Sequence, residues 1–241
     1  MRGILTYHSI DDSGSVISVQ PDLFRQQAEW LASGQIQVVP FDEIQRLPPE
    51  SHSVALTFDD GFENFASVAW PELRERQLPA TLFVVVDYVG RANEWGTETG
   101  VPKLPLLGWD ELGRLAEEGV TLGSHTRTHP DLRRLDPSRL EDEVAGSLER
   151  IHRETGVRPQ VFAYPFGYHN PFAAEAVRRA YRFACTTELR FVEPSEPPHL
   201  LPRIDMYYCR RHGRLETWES TGFQSYITVR HLLRRARSKL A

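Results

Sequence analysis

The chain has 241 residues, 40% of them apolar and 25% charged, with a formal net charge of −5. That length suits one large α/β domain or two small ones, and the composition is ordinary for a globular protein. The acidic balance offers nucleic acid no electrostatic footing, two cysteines (Cys185 and Cys209) are too few for a disulfide framework and read as free, and no apolar run reaches the roughly 18 residues of a membrane-spanning helix.

The opening MRGILTYHSI is too short in its apolar part for a signal peptide, which predicts a cytoplasmic chain. ILTYH (4–8) reads as a strand and PDLFRQQAEWLAS (21–33) as a helix. IQVVPF (36–41) and SVALTF (53–58) read as strands. ENFASVAWPELRER (63–76) reads as a helix that Pro71 kinks or breaks. ATLFVVV (80–86) suits a strand buried on both faces. WDELGRLAEEG reads as a helix and VTLGS (120–124) as a strand. In the next helix Asp136 is the cap, Pro137 takes the first position and Gly156 closes the end. Leu140, Val144, Leu148 and Ile151 line one face of it. VFAYP, FAAEAVRRAY and FACTT then read as strand, helix and strand, and no internal repeat or low-complexity segment interrupts the series.

Alternating strands and helices imply a parallel sheet with right-handed crossovers. About seven units in a single domain favour a barrel or distorted barrel, whose site residues lie at the C-terminal ends of the strands. The unusual polar residues fall there. His8 follows ILTY, Asp59 and Asp60 follow SVALTF, His125 and His129 follow VTLGS, and Tyr164-Pro165-Phe166-Gly167 follows VFA. Asp60, His125 and His129 form a two-histidine, one-carboxylate set, which suits a divalent metal with open coordination positions. A helical turn would put both rings of His125 and His129 on one side. Asp59 is then the spare carboxylate, a base for a water on the metal.

TFDDG (57–61), SHTRTH (124–129) and AYPFG (163–167) resemble the first three motifs of the NodB-homology polysaccharide deacetylases, carbohydrate esterase family 4. The resemblance covers roughly residues 4 to 205, within a single domain spanning 1–241 whose residues 206–241 form a C-terminal extension. It implies a distorted (β/α)7 barrel of NodB type and one divalent metal, Zn2+ first with iron, cobalt and nickel as competitors, on Asp60, His125 and His129. Asp59 is implied as general base and the Phe166 backbone N–H as an oxyanion donor. The family's third motif usually opens with an arginine that steadies the base, where this chain has Ala163; Arg203 in LPRID is the candidate substitute. The family's leucine-x-histidine motif, source of the general acid, has its counterpart in LTYH (5–8). The order is then circularly permuted, as in poly-N-acetylglucosamine deacetylases, and His8 is the acid.

The reaction implied is hydrolysis of N-acetyl groups on an amino sugar in a polysaccharide or oligosaccharide; the rival is deacylation of a small or lipid-linked amino sugar. Tyr164, Pro165 and Trp95 are the candidate carbohydrate contacts, Trp95 because it sits in a long loop (90–108) and aromatics stack on sugars. Trp109 reads as core packing. Iron oxygenases use a similar ligand set, but their His-x-Asp pattern is absent. A haloacid-dehalogenase phosphatase needs Asp-x-Asp, which Asp59-Asp60-Gly61 lacks, and a non-catalytic sugar binder should have lost a ligand or the base. The tail carries Arg230, Arg234, Arg235, Arg237 and Lys239 among leucines. It reads either as a solvated helix end or as a weak contact with an anionic membrane surface.

Overall fold

The computed structural model describes residues 1–48 and 50–238; Lys239 of the basic tail lies outside the described residues. In chain order the elements are β1 (Arg2–Tyr7), β2 (Ser9–Ile10), β3 (Ser18–Val19), α1 (Pro21–Leu31), β4 (Gln37–Val38), β5 (Ser53–Phe58), α2 (Trp70–Glu75), β6 (Ala80–Val84), α3 (Trp109–Glu117), β7 (Thr121–Ser124), α4 (Pro137–Glu141), α5 (Ser147–Thr155), β8 (Val161–Ala163), α6 (Pro171–Ala180), β9 (Phe183–Cys185), β10 (Ile204–Asp205) and α7 (Thr221–Ser238).

One sheet runs in the order β10-β1-β5-β6-β7-β8-β9, with β4 added to the first half of β5. Every pairing in it is parallel. β1, β5 and β6 are buried along their whole lengths, as strands covered on both faces must be. The sheet curls until its edges meet. β10 pairs with β1, and just upstream Leu201 bridges Cys185 of β9. The segment 201–205 is therefore the seam of a distorted (β/α)7 barrel.

The sequence expectations hold for the main strands and helices and miss in instructive places. The strand expected over 36–41 shrinks to β4, because Pro40 has no N–H for the ladder and the chain turns at Phe41–Glu43. The helix expected over 63–76 is a π-helical turn, Phe65–Ala69, followed by α2 with Pro71 in its first turn. A proline further into a regular helix would clash with the preceding turn, and the wider turn absorbs it. The helix over 137–155 likewise contains a π-helical turn, Asp142–Gly146, between α4 and α5. Its ends are as the sequence predicts. The Asp136 carboxylate accepts from Arg139 N–H, and Gly156 closes the helix at φ 73°.

The apolar core does not stop at residue 205. Met206, Leu215, Trp218, Phe223 and Ile227 are buried in the main cluster outside the barrel. Trp218 lies so close to β1 that a β-carbon at Gly3 would sit 2.4 Å from its ring. Both cysteines are free and buried. No helix among the described residues is long and apolar enough to cross a membrane.

Candidate active site

Strand alternation explains which side chains meet. Ile4, Ala55, Phe83, Ala163, Cys185 and Leu201 pack together as the barrel interior. Side chains two and four residues along a strand point the same way. His8 thus follows Ile4, Asp59 follows Ala55 and Arg203 follows Leu201 into the barrel mouth. Gly123 sits beside Phe83, where a β-carbon would lie 2.5 Å from the ring, and His125 follows Gly123. The register pairs Tyr7 with Phe58, so His8 and Asp59 stand side by side, and Asp59 N–H donates to Tyr7 O at 3.0 Å.

Asp60, His125 and His129 converge as the sequence predicts. Nε2 of each histidine lies 3.6 Å from the same atom, Asp60 Oδ1. All three side chains are buried, with one donor atom from each within 4.8 Å of the others. His125 Nδ1 is 2.7 Å from the Ala163 carbonyl. A carbonyl only accepts, so the proton is on Nδ1 and the Nε2 lone pair is left for an ion. Asp60 Oδ1 and His129 Nδ1 are buried without hydrogen-bond partners among the described residues. Burial, reinforced by the Asp59 charge and opposed by His8 and His125, pushes the Asp60 carboxyl above its ordinary range. Burial, with His125 adding to it, holds His129 well below the usual histidine range and therefore neutral. A buried carboxylate and two imidazoles around an unsatisfied oxygen fit a divalent cation.

Asp59 is handled differently. Arg203 Nη1 and Nη2 donate to its two oxygens, each at 2.7 Å. Arg203 is itself 1% exposed and donates further to the Thr186 carbonyl at 2.8 Å. Burial alone would raise the Asp59 carboxyl. The charge and hydrogen bonds of Arg203, with His125 and His8, outweigh burial and hold it well below the usual carboxylate range. His8 Nε2 lies 3.7 Å from Asp59 Oδ2, and its side chain keeps 20% exposure toward the mouth.

Backbone strain collects here. Among the described residues five non-glycines have left-handed φ, and four of them, Asp60, Thr126, His129 and Phe166, are at this rim. Each such residue costs of order 1–3 kcal/mol, which only a surrounding structure that over-determines it can hold. These angles correct one expectation. His125 and His129 are not on a helical turn but on a loop bent by Thr126 (φ 71°) and His129 (φ 59°). Glu143, which sequence reasoning missed, clamps that loop. Its carboxylate accepts from Arg127 N–H at 2.8 Å, Thr128 N–H at 2.9 Å and Thr128 Oγ1 at 2.6 Å. It projects from the π-helical turn between α4 and α5, a local widening that often marks functional sites.

Phe166 (φ 58°, ψ 1°) is exposed at the rim, its ring 4.6 Å from that of His129. Tyr164 and Pro165 do not line the opening as expected. Both are buried, and Tyr164 packs with Phe162 and Tyr181 against the outer helices, because it shares the face of Phe162 and not that of Ala163. Trp95 does reach the rim. It stacks on His129 at 4.6 Å and 19° and meets Tyr88 edge-on. Its loop is stapled by buried Asn93, which donates to Trp95 O and Pro102 O and accepts from Leu104 N–H at 2.7 Å. Trp109 packs on the core.

A family profile described as polysaccharide deacetylase matches residues 46–182. That span holds both aspartates, both histidines and Phe166, and leaves His8 and Arg203 outside it. The poly-beta-1,6-N-acetyl-D-glucosamine N-deacetylase of Staphylococcus epidermidis is 23% identical over 201 residues, 78% of this chain and 67% of that protein. YxkH of Bacillus subtilis, assigned to the polysaccharide deacetylases, is 27% identical over 207 residues, 83% of this chain and 70% of its own length. Among solved structures, the Streptococcus pyogenes deacetylase PplD in complex with acetate superposes with a TM-score of 0.71 at 26% identity, covering 84% of this chain and 91% of that one. IcaB from Ammonifex degensii shares the fold, with a TM-score of 0.70 at 23% identity over 84% of this chain and 90% of its own.

Proposed function

Since the chain belongs to the polysaccharide deacetylase family, a family of hydrolases, we propose that it removes N-acetyl groups from an amino sugar within a polysaccharide or oligosaccharide, with a divalent metal on Asp60, His125 and His129. One observation carries the reading: Asp59, held ionised by Arg203, adjoins a buried oxygen that two histidine Nε2 atoms face at 3.6 Å. When bound, the ion would polarise the amide carbonyl and make water acidic enough to be deprotonated near neutral pH. The donor set favours Zn2+.

The chain's own groups supply the rest. Asp59 takes the proton from the attacking water, and Arg203 fixes its rotamer. The Phe166 N–H donates to the oxygen on which negative charge develops, so a phenylalanine serves where a backbone donor is needed. His8, beside Asp59 and open to the mouth, protonates the departing amine. Acetate leaves and the free amino sugar remains. Trp95 braces His129 and leaves an edge for the sugar.

The test is acetate release from N-acetylglucosamine oligomers, beside sugar-nucleotide and lipid-linked donors, by protein loaded with Zn2+. Turnover of the oligomers that stops on chelation is expected. No release from any acetylated amino sugar by metal-loaded protein would discard the proposal.

A second proposal concerns α7. Val229, Leu232 and Leu233 are exposed on successive turns, flanked by Arg235 and Arg237. Apolar residues bordered by arginines complement an anionic lipid surface. Cosedimentation with phosphatidylglycerol vesicles, absent with phosphatidylcholine and lost in Leu232→Ser/Leu233→Ser, is the expected result; equal binding by that variant would overturn it.

A further inference from the structure

The segment Tyr164-Pro165-Phe166-Gly167 closes on itself, with Gly167 N–H donating to Tyr164 O at 2.8 Å. Its second residue is a proline, confined to negative φ. Its third, Phe166, lies at φ 58° and ψ 1°. A proline followed by a left-handed residue is a type II β-turn, whose third position normally belongs to glycine. Here a phenylalanine occupies it. The commoner type I turn accepts most residues there and joins the same two ends. The two types differ in their middle peptide, which is turned over from one to the other. That peptide is Pro165–Phe166, and it carries the Phe166 N–H. Turn type therefore sets the direction of the proposed oxyanion donor.

A phenylalanine stays left-handed only if something outside the turn holds it. The hold comes from the end of β9. Thr187 Oγ1 donates to Phe166 O at 3.0 Å and fixes the peptide that follows. Gly167 packs so closely on the same residue that a β-carbon there would lie 2.5 Å from Thr187 N. Thr187 stands on rigid backbone. Its neighbour Thr186 is buried, donates its N–H to Leu201 O at 2.9 Å and accepts from Arg203 Nε at 2.8 Å.

We propose that Thr187 is a positioning residue whose hydroxyl locks the 164–167 turn as type II and so aims the Phe166 N–H; the inference rests on the deacetylase reading above. It acts through Phe166 and not on the reacting atoms. Thr187→Val keeps the shape and the branching of the side chain but cannot donate, which frees the turn to relax.

The test compares acetate release from N-acetylglucosamine oligomers by wild type, Thr187→Val and Thr187→Ser, and by Phe166→Gly with and without Thr187→Val. Melting temperatures establish that each variant is folded, and elemental analysis that each holds wild-type metal. In Thr187→Val kcat should fall roughly tenfold or more at unchanged KM, within the about 100–1,000-fold that loss of a whole oxyanion donor costs. Thr187→Ser should restore it. In the Phe166→Gly background the valine should cost little, because glycine holds positive φ unaided. A second readout needs no turnover. The intraresidue amide–Hα NOE of Phe166, seen in protein carrying isotopically labelled phenylalanine, is strong only at positive φ, and Phe166→Gly identifies the peak by its loss. That NOE should weaken in Thr187→Val and return in Thr187→Ser. A weakened NOE with no acetate released even by wild type would keep the turn assignment and remove the deacetylase reading. An NOE that Thr187→Val leaves at full strength, or a valine penalty just as large in the glycine background, overturns the proposal.

Discussion

On one side of the rim, both oxygens of Asp59 are engaged by Arg203 at 2.7 Å; one residue along the chain, Asp60 Oδ1 is buried with no hydrogen-bond partner among the described residues. Both carboxylates are almost fully buried. An isolated buried charge costs far more than a folded protein can spare, so each anion needs a cation. The proposed acid–base region, His8, Asp59 and Arg203, contains its own. The candidate ligand region, Asp60, His125 and His129, has two histidines in reach, and burial holds His129 well below the usual histidine range. The difference teaches that the first region is complete as folded, whereas the second has a donor set that a bound cation would complete.

The sharpest way to break this comparison is at the ligands. His125→Ala and His129→Ala should each lose the bound metal and, with it, essentially all acetate release. Elemental analysis of the purified variants decides it, and full metal stoichiometry in both would remove the ligand assignment. The next largest effect separates the two carboxylates. Asp59→Asn should keep its metal and lose kcat by roughly 100-fold or more, the scale of a missing general base. A variant that retains wild-type turnover would show that Asp59 is not the base.

The third prediction probes the completeness of the acid–base region. Arg203→Met leaves Asp59 buried and unpaired, and breaking a buried pair from one side costs about 3–5 kcal/mol. Urea unfolding should show a loss of that order, while the metal's ligands stay in place. Adding Asp59→Asn should recover a large part of the stability, since the stranded charge is then gone. If the double variant is no more stable than Arg203→Met alone, the loss comes from packing around Phe83 and Thr186 and not from the charge.

Much of this was legible because it depends on short-range pattern. Polar residues directly after apolar runs mark strand ends, and strand ends share a rim in a parallel barrel. Arg203 could be anticipated because Ala163 leaves the base without a cation and LPRID follows the same logic. What escaped depends on backbone angle or on facing. A spacing of four residues is the same in a helix and in a loop, so nothing in SHTRTH announces left-handed Thr126 and His129. Tyr164 was misjudged although period-two alternation puts it on the Phe162 face. Trp95 was singled out for a sugar, yet its ring stacks on His129, a contact made by a long loop whose path follows from buried Asn93.

Glu143 is the case where the sequence offered least. It lies on a helix whose other buried positions, Ser147 aside, are apolar, and the π-helical turn carries it to the 127–128 backbone. Its carboxylate accepts from two N–H groups and one hydroxyl between His125 and His129, so it sets the loop that spaces these two candidate ligands. Glu143→Ala would strip those part-buried donors of their shared acceptor and leave them to water. The loop should relax, and the strained φ of His129 would lose its support. Groups that orient metal ligands are typically worth about 10–100-fold in affinity. We expect Glu143→Ala to weaken metal binding within that range in a competitive chelator titration. Glu143→Gln, whose amide oxygen can still accept both N–H groups, should recover most of the loss. An alanine variant that binds metal as tightly as wild type would show that the two left-handed residues hold the loop without the clamp.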